Sequence, residues 1–196
     1  MMRSVRATRS ERARALPGDE LIARSIDSLT NAITIDRSPR EIWPWLAQMG
    51  AGRAGWYSYD RLDNGGRPSA NRILPEFQTI REGTLFPALP GETGGFILLE
   101  QDPPRSLVLG WRGPDGTLLV TWSFVLEASG PTTTRLIVRA RGGPNYRFHH
   151  LPTWMVKRIV PVIHYVMQRK QLLGIARRAE SWQGAAGLTR ALGERL

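Results

Sequence analysis

The chain has no cysteine, three histidines, and no apolar run long enough to cross a bilayer. Without cysteine there are no disulfides, no thiolate nucleophile and no cysteine-based zinc site, and a reducing, cytoplasmic compartment fits best. His149 and His150 are adjacent, so regular structure would send them apart. With His164 they make no metal-ligand spacing, and neither a metal nor another cofactor is expected. No Ser-His-Asp arrangement is readable. In residues 153–182, Lys157, Arg158 and Pro161 break the apolar run short of the ~18 residues that a membrane span needs.

What is abundant is positive charge, +10 in formal net terms, and its distribution decides its meaning. Residues 1–14 carry five arginines and one glutamate, residues 150–196 eight Lys/Arg and two glutamates, and residues 15–149 fourteen of each sign. The body is neutral and the ends are basic. Phosphate binding needs Lys and Arg clustered on one surface, so no specific nucleic-acid partner is expected. The basic ends are left as the candidate weak contact with an anionic membrane surface. The arm MMRSVRATRSERAR lacks the apolar core of a secretory signal. Residues 1–16 are expected to form a basic, disordered arm, residues 17–183 a single domain, and residues 184–196 a frayed tail.

Alternation of Ile33 and Ile35 with polar neighbours predicts a short first strand over residues 32–36. Ser38-Pro39-Arg40-Glu41 has the form of a capping box with proline at the first helical position. Ile42, Trp45, Leu46 and Met49 then give one apolar helix face, with Gly50 as a stop. Pro44 predicts a distorted turn in so short a helix. Residues 50–55 match the dinucleotide fingerprint GxGxxG literally, but they follow a helix C-terminus instead of opening a helix, so a flexible connection is expected. Trp56, Tyr57 and Tyr59 cannot share one face of a strand, which predicts a helical turn or irregular segment ended by Gly65-Gly66. Such a cluster either lines a pocket or packs a corner. Residues 72–86 read as an irregular strand region.

Strands are predicted at 96–100, 107–111, 118–126 and 134–141, separated by Pro-, Gly- and Asp-rich turns, as in an antiparallel meander with one apolar face. A long helix follows over residues 153–182, with Ile159, Val162, Ile163, Val166 and Leu173 as the burying face. Lys170 and Arg177 point to the same side. Either the register changes along the helix or these cations sit at a rim, and the sequence leaves both open.

This order resembles the helix-grip fold of the START and birch-pollen-allergen-like superfamily (SRPBCC), and in particular its bacterial polyketide cyclase/dehydrase and lipid-transport-like branch. The residues that carry the resemblance are Trp43-Pro44-Trp45-Leu46, Gln48-Met49-Gly50, Gly55-Trp56-Tyr57-Ser58-Tyr59-Asp60, Pro75-Glu76-Phe77-Gln78, Leu172-Leu173-Gly174-Ile175 and Arg178-Ala179-Glu180. It implies an α+β fold: a curved antiparallel sheet wrapped around a long C-terminal helix, with short helices after the first strand. It also implies a cavity between sheet and helix for a small hydrophobic partner such as a lipid or polyketide. A minority of such proteins catalyse cyclisation or dehydration there. Candidate lining residues on the inward faces are Trp45, Met49, Tyr57, Tyr59, Phe77, Phe96, Trp111, Trp122, Phe124, Ile159, Ile163 and Met167. Should the chain be an enzyme, Asp60 and Glu76 are the weak candidates for an acid or base, since an apolar pocket raises a carboxyl pKa. Asp60, Asp63 and Glu76 are otherwise expected to pair with Arg53, Arg61 or Arg72.

Overall fold

The structure, a computed structural model, describes residues 3–91, 94–144 and 153–182, with the side chains of the last helix described from residue 162 onward. Strand β1 (Asp27–Ile35) leads into α2 (Pro39–Ala47) and the single turn α3 (Asp60–Asp63), with α1 (Arg9–Ala13) preceding them. A 3-10 turn (Pro75–Phe77) and β2 (Leu85–Pro87) follow. Then come β3 (Gly95–Asp102), β4 (Ser106–Arg112), β5 (Leu118–Gly130), β6 (Thr133–Gly142) and α4 (Thr153–Ser181). All six strands form one antiparallel sheet in the order β1-β6-β5-β4-β3-β2. The meander therefore closes back on its first strand. Register shifts at Leu98/Glu100, Trp111/Arg112 and Ala128/Gly130 are the irregularities that let such a sheet bend.

The capping box forms as its sequence dictates, with the Ser38 backbone N–H donating to Glu41 Oε2 at 2.9 Å. Ile42, Trp45, Leu46 and Met49 are all fully buried, and Pro44 is accommodated inside the helix. The GxGxxG stretch is a tight connection. Gly50 and Gly55 bridge one another, and Arg53 donates to the carbonyls of Ala47 (2.9 Å) and Met49 (2.8 Å), closing the end of α2.

Two expectations are corrected. The burying face of α4 is not the row through Val162, Ile163 and Val166, which are 60%, 50% and 43% exposed. The buried row is Gln168, Gln171, Leu172, Ile175, Ala176 and Ala179, so the register does change, and Lys170 and Arg177 lie outside the core. The cause is tertiary: this end of α4 is fixed by β1, α2 and Tyr57, and not by the local excess of valine and isoleucine.

The second correction concerns the arm. Residues 3–14 are not loose; they lie against the outer face of the sheet, so both faces of the sheet are covered. Ala7 and Leu16 pack on Ala32, Val125 and Ile137, and Val5 accepts a backbone hydrogen bond from Ala32 (3.1 Å) along the edge of β1. Arg139, 4% exposed, donates to the carbonyls of Glu11, Arg12 and Arg14 and to Asp19, while Arg135 pairs with Glu11. This pairing and its hydrogen bonds hold the Glu11 carboxyl down at about 2, with the Arg135 hydrogen bond as the largest cause. Of the arm's own cations, Arg14 pairs with Glu127 on β5 and Arg3 with Glu180 and Asp36, while the sheet's Arg135 and Arg139 meet Glu11 and the arm's carbonyls. The tail at 184–196 lies outside the described residues.

Candidate functional site

The inner face of the sheet passes from a closed core to a partly covered wall. Leu98, Leu109 and Phe124 are buried completely, whereas Phe96, Trp111 and Trp122, on neighbouring strands, are only partly covered. Their rings form one continuous cluster: Trp111 meets Phe96 at 5.4 Å between centroids, Phe96 meets Trp122 at 5.1 Å, and Trp122 meets Phe124 at 5.0 Å. Trp56 lies nearly parallel to Trp122, at 5.3 Å and 27°, and is held by its indole N–H donating to the Pro87 carbonyl at 3.1 Å. Edge-to-face and offset contacts of this kind rigidify the wall.

Opposite it, α4 presents a polar row where an apolar one was expected. His164, Gln168 and Gln171 stand at i, i+4 and i+7, so they share one helix face. Both glutamines are buried, at 3% and 2% exposure. Trp122 Nε1 donates to Gln168 Oε1 (3.1 Å), Gln168 Nε2 donates to Gln171 Oε1 (2.7 Å), and Gln171 Nε2 reaches the Met49 sulfur at 3.8 Å. Burial lowers the His164 pKa, which keeps the imidazole neutral at pH 7, and its Nε2 has no partner among the described residues.

The structure thus brings together Phe96, Trp111, Trp122 and Phe124, with Met49 at the edge of the amide pair. The other expected residues fall elsewhere. Trp45 and Tyr57 sit within the closed core, edge-on at 6.2 Å. Phe77 stacks under the Arg53 guanidinium, and Tyr59 and Ile163 are exposed. Met167 is partly buried, and the Ser58 hydroxyl donates to its carbonyl at 3.1 Å. Ile159 lies outside the described side chains. Trp56 was singled out within the aromatic segment but not placed among the lining residues, and Gln168 and Gln171 were missed by the sequence reading. The glutamines share a helical row with Ile175, and that row was passed over because the neighbouring one is richer in valine and isoleucine.

Among the described residues, no hydrogen bond joins the candidate carboxylates to the aromatic wall or to the amide pair. Glu76 is exposed. Asp60 accepts a short hydrogen bond from the Ser69 hydroxyl, which itself accepts from the Tyr57 N–H. Among the described residues, none of the ion pairs expected for Asp60, Asp63 or Glu76 forms. Asp63 is buried and its carboxylate oxygens have no well-formed hydrogen bond among the described residues, so desolvation, helped by the nearby Asp60 charge, outweighs the weak pull of Ser58 and the local backbone and pushes its pKa up to about 6.

That shift has a definite sign. Between the unfolded value of 3.8 and about 6, the folded protein holds a proton that the unfolded chain has lost, so raising the pH through this window costs stability. Asp63→Asn is therefore expected to stabilise the protein above pH 6 by about 1 kcal/mol after allowance for solvent screening. Below pH 4 the gain disappears. Urea midpoints of both proteins at pH 4 and pH 8 check this, and an equal effect at the two values would contradict it.

No family model and no curated protein matches the chain. Solved structures resemble it in outline. An aromatase/cyclase from a Streptomyces species is 12% identical, with 82% of this chain and 98% of that one aligned and a TM-score of 0.48. Norcoclaurine synthase from Thalictrum flavum is 14% identical over 87% and 96%, with a TM-score of 0.45. A hypothetical protein from Helicobacter pylori is 13% identical over 91% and 98%, with a TM-score of 0.48. At such identities these are likenesses of shape. The chain's own strand order, its single bent antiparallel sheet and the C-terminal helix held against the sheet's inner face make it a protein of helix-grip fold.

Proposed function

We propose that this chain binds a small hydrophobic molecule between the inner face of the sheet and α4, as a carrier or sensor. The observation that carries the reading is the partly uncovered aromatic wall of Phe96, Trp111 and Trp122, continuous with a closed core yet not sealed by it. Large apolar rings left open to water at the inner face of a sheet gain by taking up an apolar ligand, at about 25 cal/mol per Å² removed from water. A cyclase or dehydratase acting in the same space is the second reading. It needs a positioned acid or base, whereas Glu76 is exposed and the Asp60 carboxylate is engaged by the Ser69 hydroxyl. Membrane contact through the basic ends is less favoured for the arm, whose Arg3 is engaged by Glu180 and Asp36 and whose Arg14 is engaged by Glu127.

Native mass spectrometry of the purified protein, followed by denaturing extraction, tests the reading. A stoichiometric apolar species is expected to be retained, and Trp122→Ala is expected to lose it. An empty protein whose melting temperature does not move with fatty acids, sterols or aromatic polyketides would overturn it.

A further inference from the structure

The polar groups at the aromatic wall define what the ligand of the proposed site must offer. Each glutamine amide carries two N–H donors. Gln168 spends one of its donors on Gln171 Oε1, and Gln171 Nε2 has only the Met49 sulfur, at 3.8 Å. A thioether is a weak acceptor, and both side chains are more than nine-tenths buried, so the pair holds donor capacity that no oxygen among the described residues takes up. Trp122 ties the pair to the wall, because its indole N–H fixes the orientation of Gln168 while its ring stacks on Trp56.

Among the described residues, no charged side chain hydrogen-bonds the amide pair. The half-buried guanidinium groups of the core are occupied elsewhere. Arg53 is held by the Ala47 and Met49 carbonyls, and Arg178 by those of Ser69, Ala70 and Gly174. His164, one turn from Gln168, is neutral at pH 7. A carboxylate buried against the amides would meet no cation among the described residues, which disfavours an anionic ligand.

We infer that the site takes an uncharged, flat conjugated molecule that packs against the partly uncovered rings of Phe96, Trp111 and Trp122 and presents a carbonyl oxygen to the Gln168–Gln171 amide pair, and that it rejects free fatty acids. The inference rests on the cavity reading proposed above and adds the chemistry of its occupant. Gln168 and Gln171 are then the residues that set specificity, with the rings supplying affinity.

The test uses the full chain and three probes followed by tryptophan quenching: flavone, its oxygen-free shape analogue 2-phenylnaphthalene, and oleate. Flavone is expected to bind about ten-fold tighter than 2-phenylnaphthalene, the size of one well-placed hydrogen bond, with oleate weakest. In Gln168→Leu and Gln171→Leu the flavone preference is expected to collapse towards one while 2-phenylnaphthalene still binds, which also shows that the variants are folded. Equal binding of the two ring compounds by the wild-type protein, a preference that survives both substitutions, or tightest binding of oleate would overturn the inference and leave the cavity standing. Failure of all three probes, together with an empty native mass spectrum, would remove the cavity reading and this inference with it.

Discussion

Deleting residues 1–14 is expected to destabilise the protein by about 2–4 kcal/mol, although the stretch reads as a solvated tail. Val5, which belongs to the main core cluster, and Ala7 are 2% and 5% exposed and would be lost, and Ala32 and Ile137, which pack with Ala7, would be uncovered. Burial of side chains of this size is worth about 1–2 kcal/mol each. Arg139 would lose three carbonyl acceptors and Arg135 its Glu11 partner. Each such bond contributes about 1 kcal/mol net, and the conformational entropy of ordering the arm offsets part of the total. Because domains are stable by only about 5–15 kcal/mol, a loss of this size shifts the urea midpoint visibly. Trypsin gives an independent readout, since Arg6, Arg9, Arg12 and Arg14 are expected to resist cleavage in the full chain and to become sensitive in Arg139→Leu. An unchanged midpoint on deletion, with rapid cleavage of the intact arm, would show that the arm does not dock.

Gly174→Ala is the second large effect, and two principles disagree about its sign. Helix propensity alone favours alanine over glycine by about 1 kcal/mol within a helix. The tertiary contact says otherwise, because a Cβ at residue 174 would lie 2.2 Å from the Tyr57 carbonyl oxygen and 3.0 Å from its Cβ. Tyr57 has little room to yield. It adopts a φ of 60°, its N–H is held by Ser69 Oγ (3.1 Å), and its hydroxyl accepts from Gln48 Nε2 (2.9 Å). Arg178 covers its ring at 4.7 Å. Overpacking against fixed backbone is expected to win, for a net loss of about 2–3 kcal/mol. Thermal unfolding decides the matter, and a higher melting temperature for Gly174→Ala would mean that α4 does not approach the Tyr57 segment this closely. The same contact explains glycine in Leu172-Leu173-Gly174-Ile175, one of the stretches on which the superfamily resemblance rests.

Much of the architecture follows from local chemistry. The capping box at Ser38–Glu41, the apolar row from Ile42 to Met49, the alternation through Trp122 and Phe124, and the turn residues between strands each act over a few positions, and each produces the element that it implies. The strands at 95–142 lie within a few residues of their expected limits. The aromatic half of the candidate site was legible for the same reason, since alternation tells which side of a strand a ring occupies.

What local pattern could not reach is which surfaces meet. Helical periodicity in residues 153–182 offers more than one row, and the row richest in valine and isoleucine is left exposed because Tyr57, β1 and α2 fix the opposite one. Gln168 and Gln171 enter the interior for that reason alone, and polar side chains in a buried row carry no sequence signal of burial. The arginine-rich arm likewise looks solvated until Arg135 and Arg139, more than a hundred residues away, supply partners for its carbonyls and for Glu11. The sequence by itself determined the elements, their order and the side of the sheet on which Phe96, Trp111 and Trp122 lie, because these depend on neighbours along the chain. Only the tertiary structure decided the face of α4, the amide pair and the docking of the arm, because each depends on contacts between segments far apart in sequence.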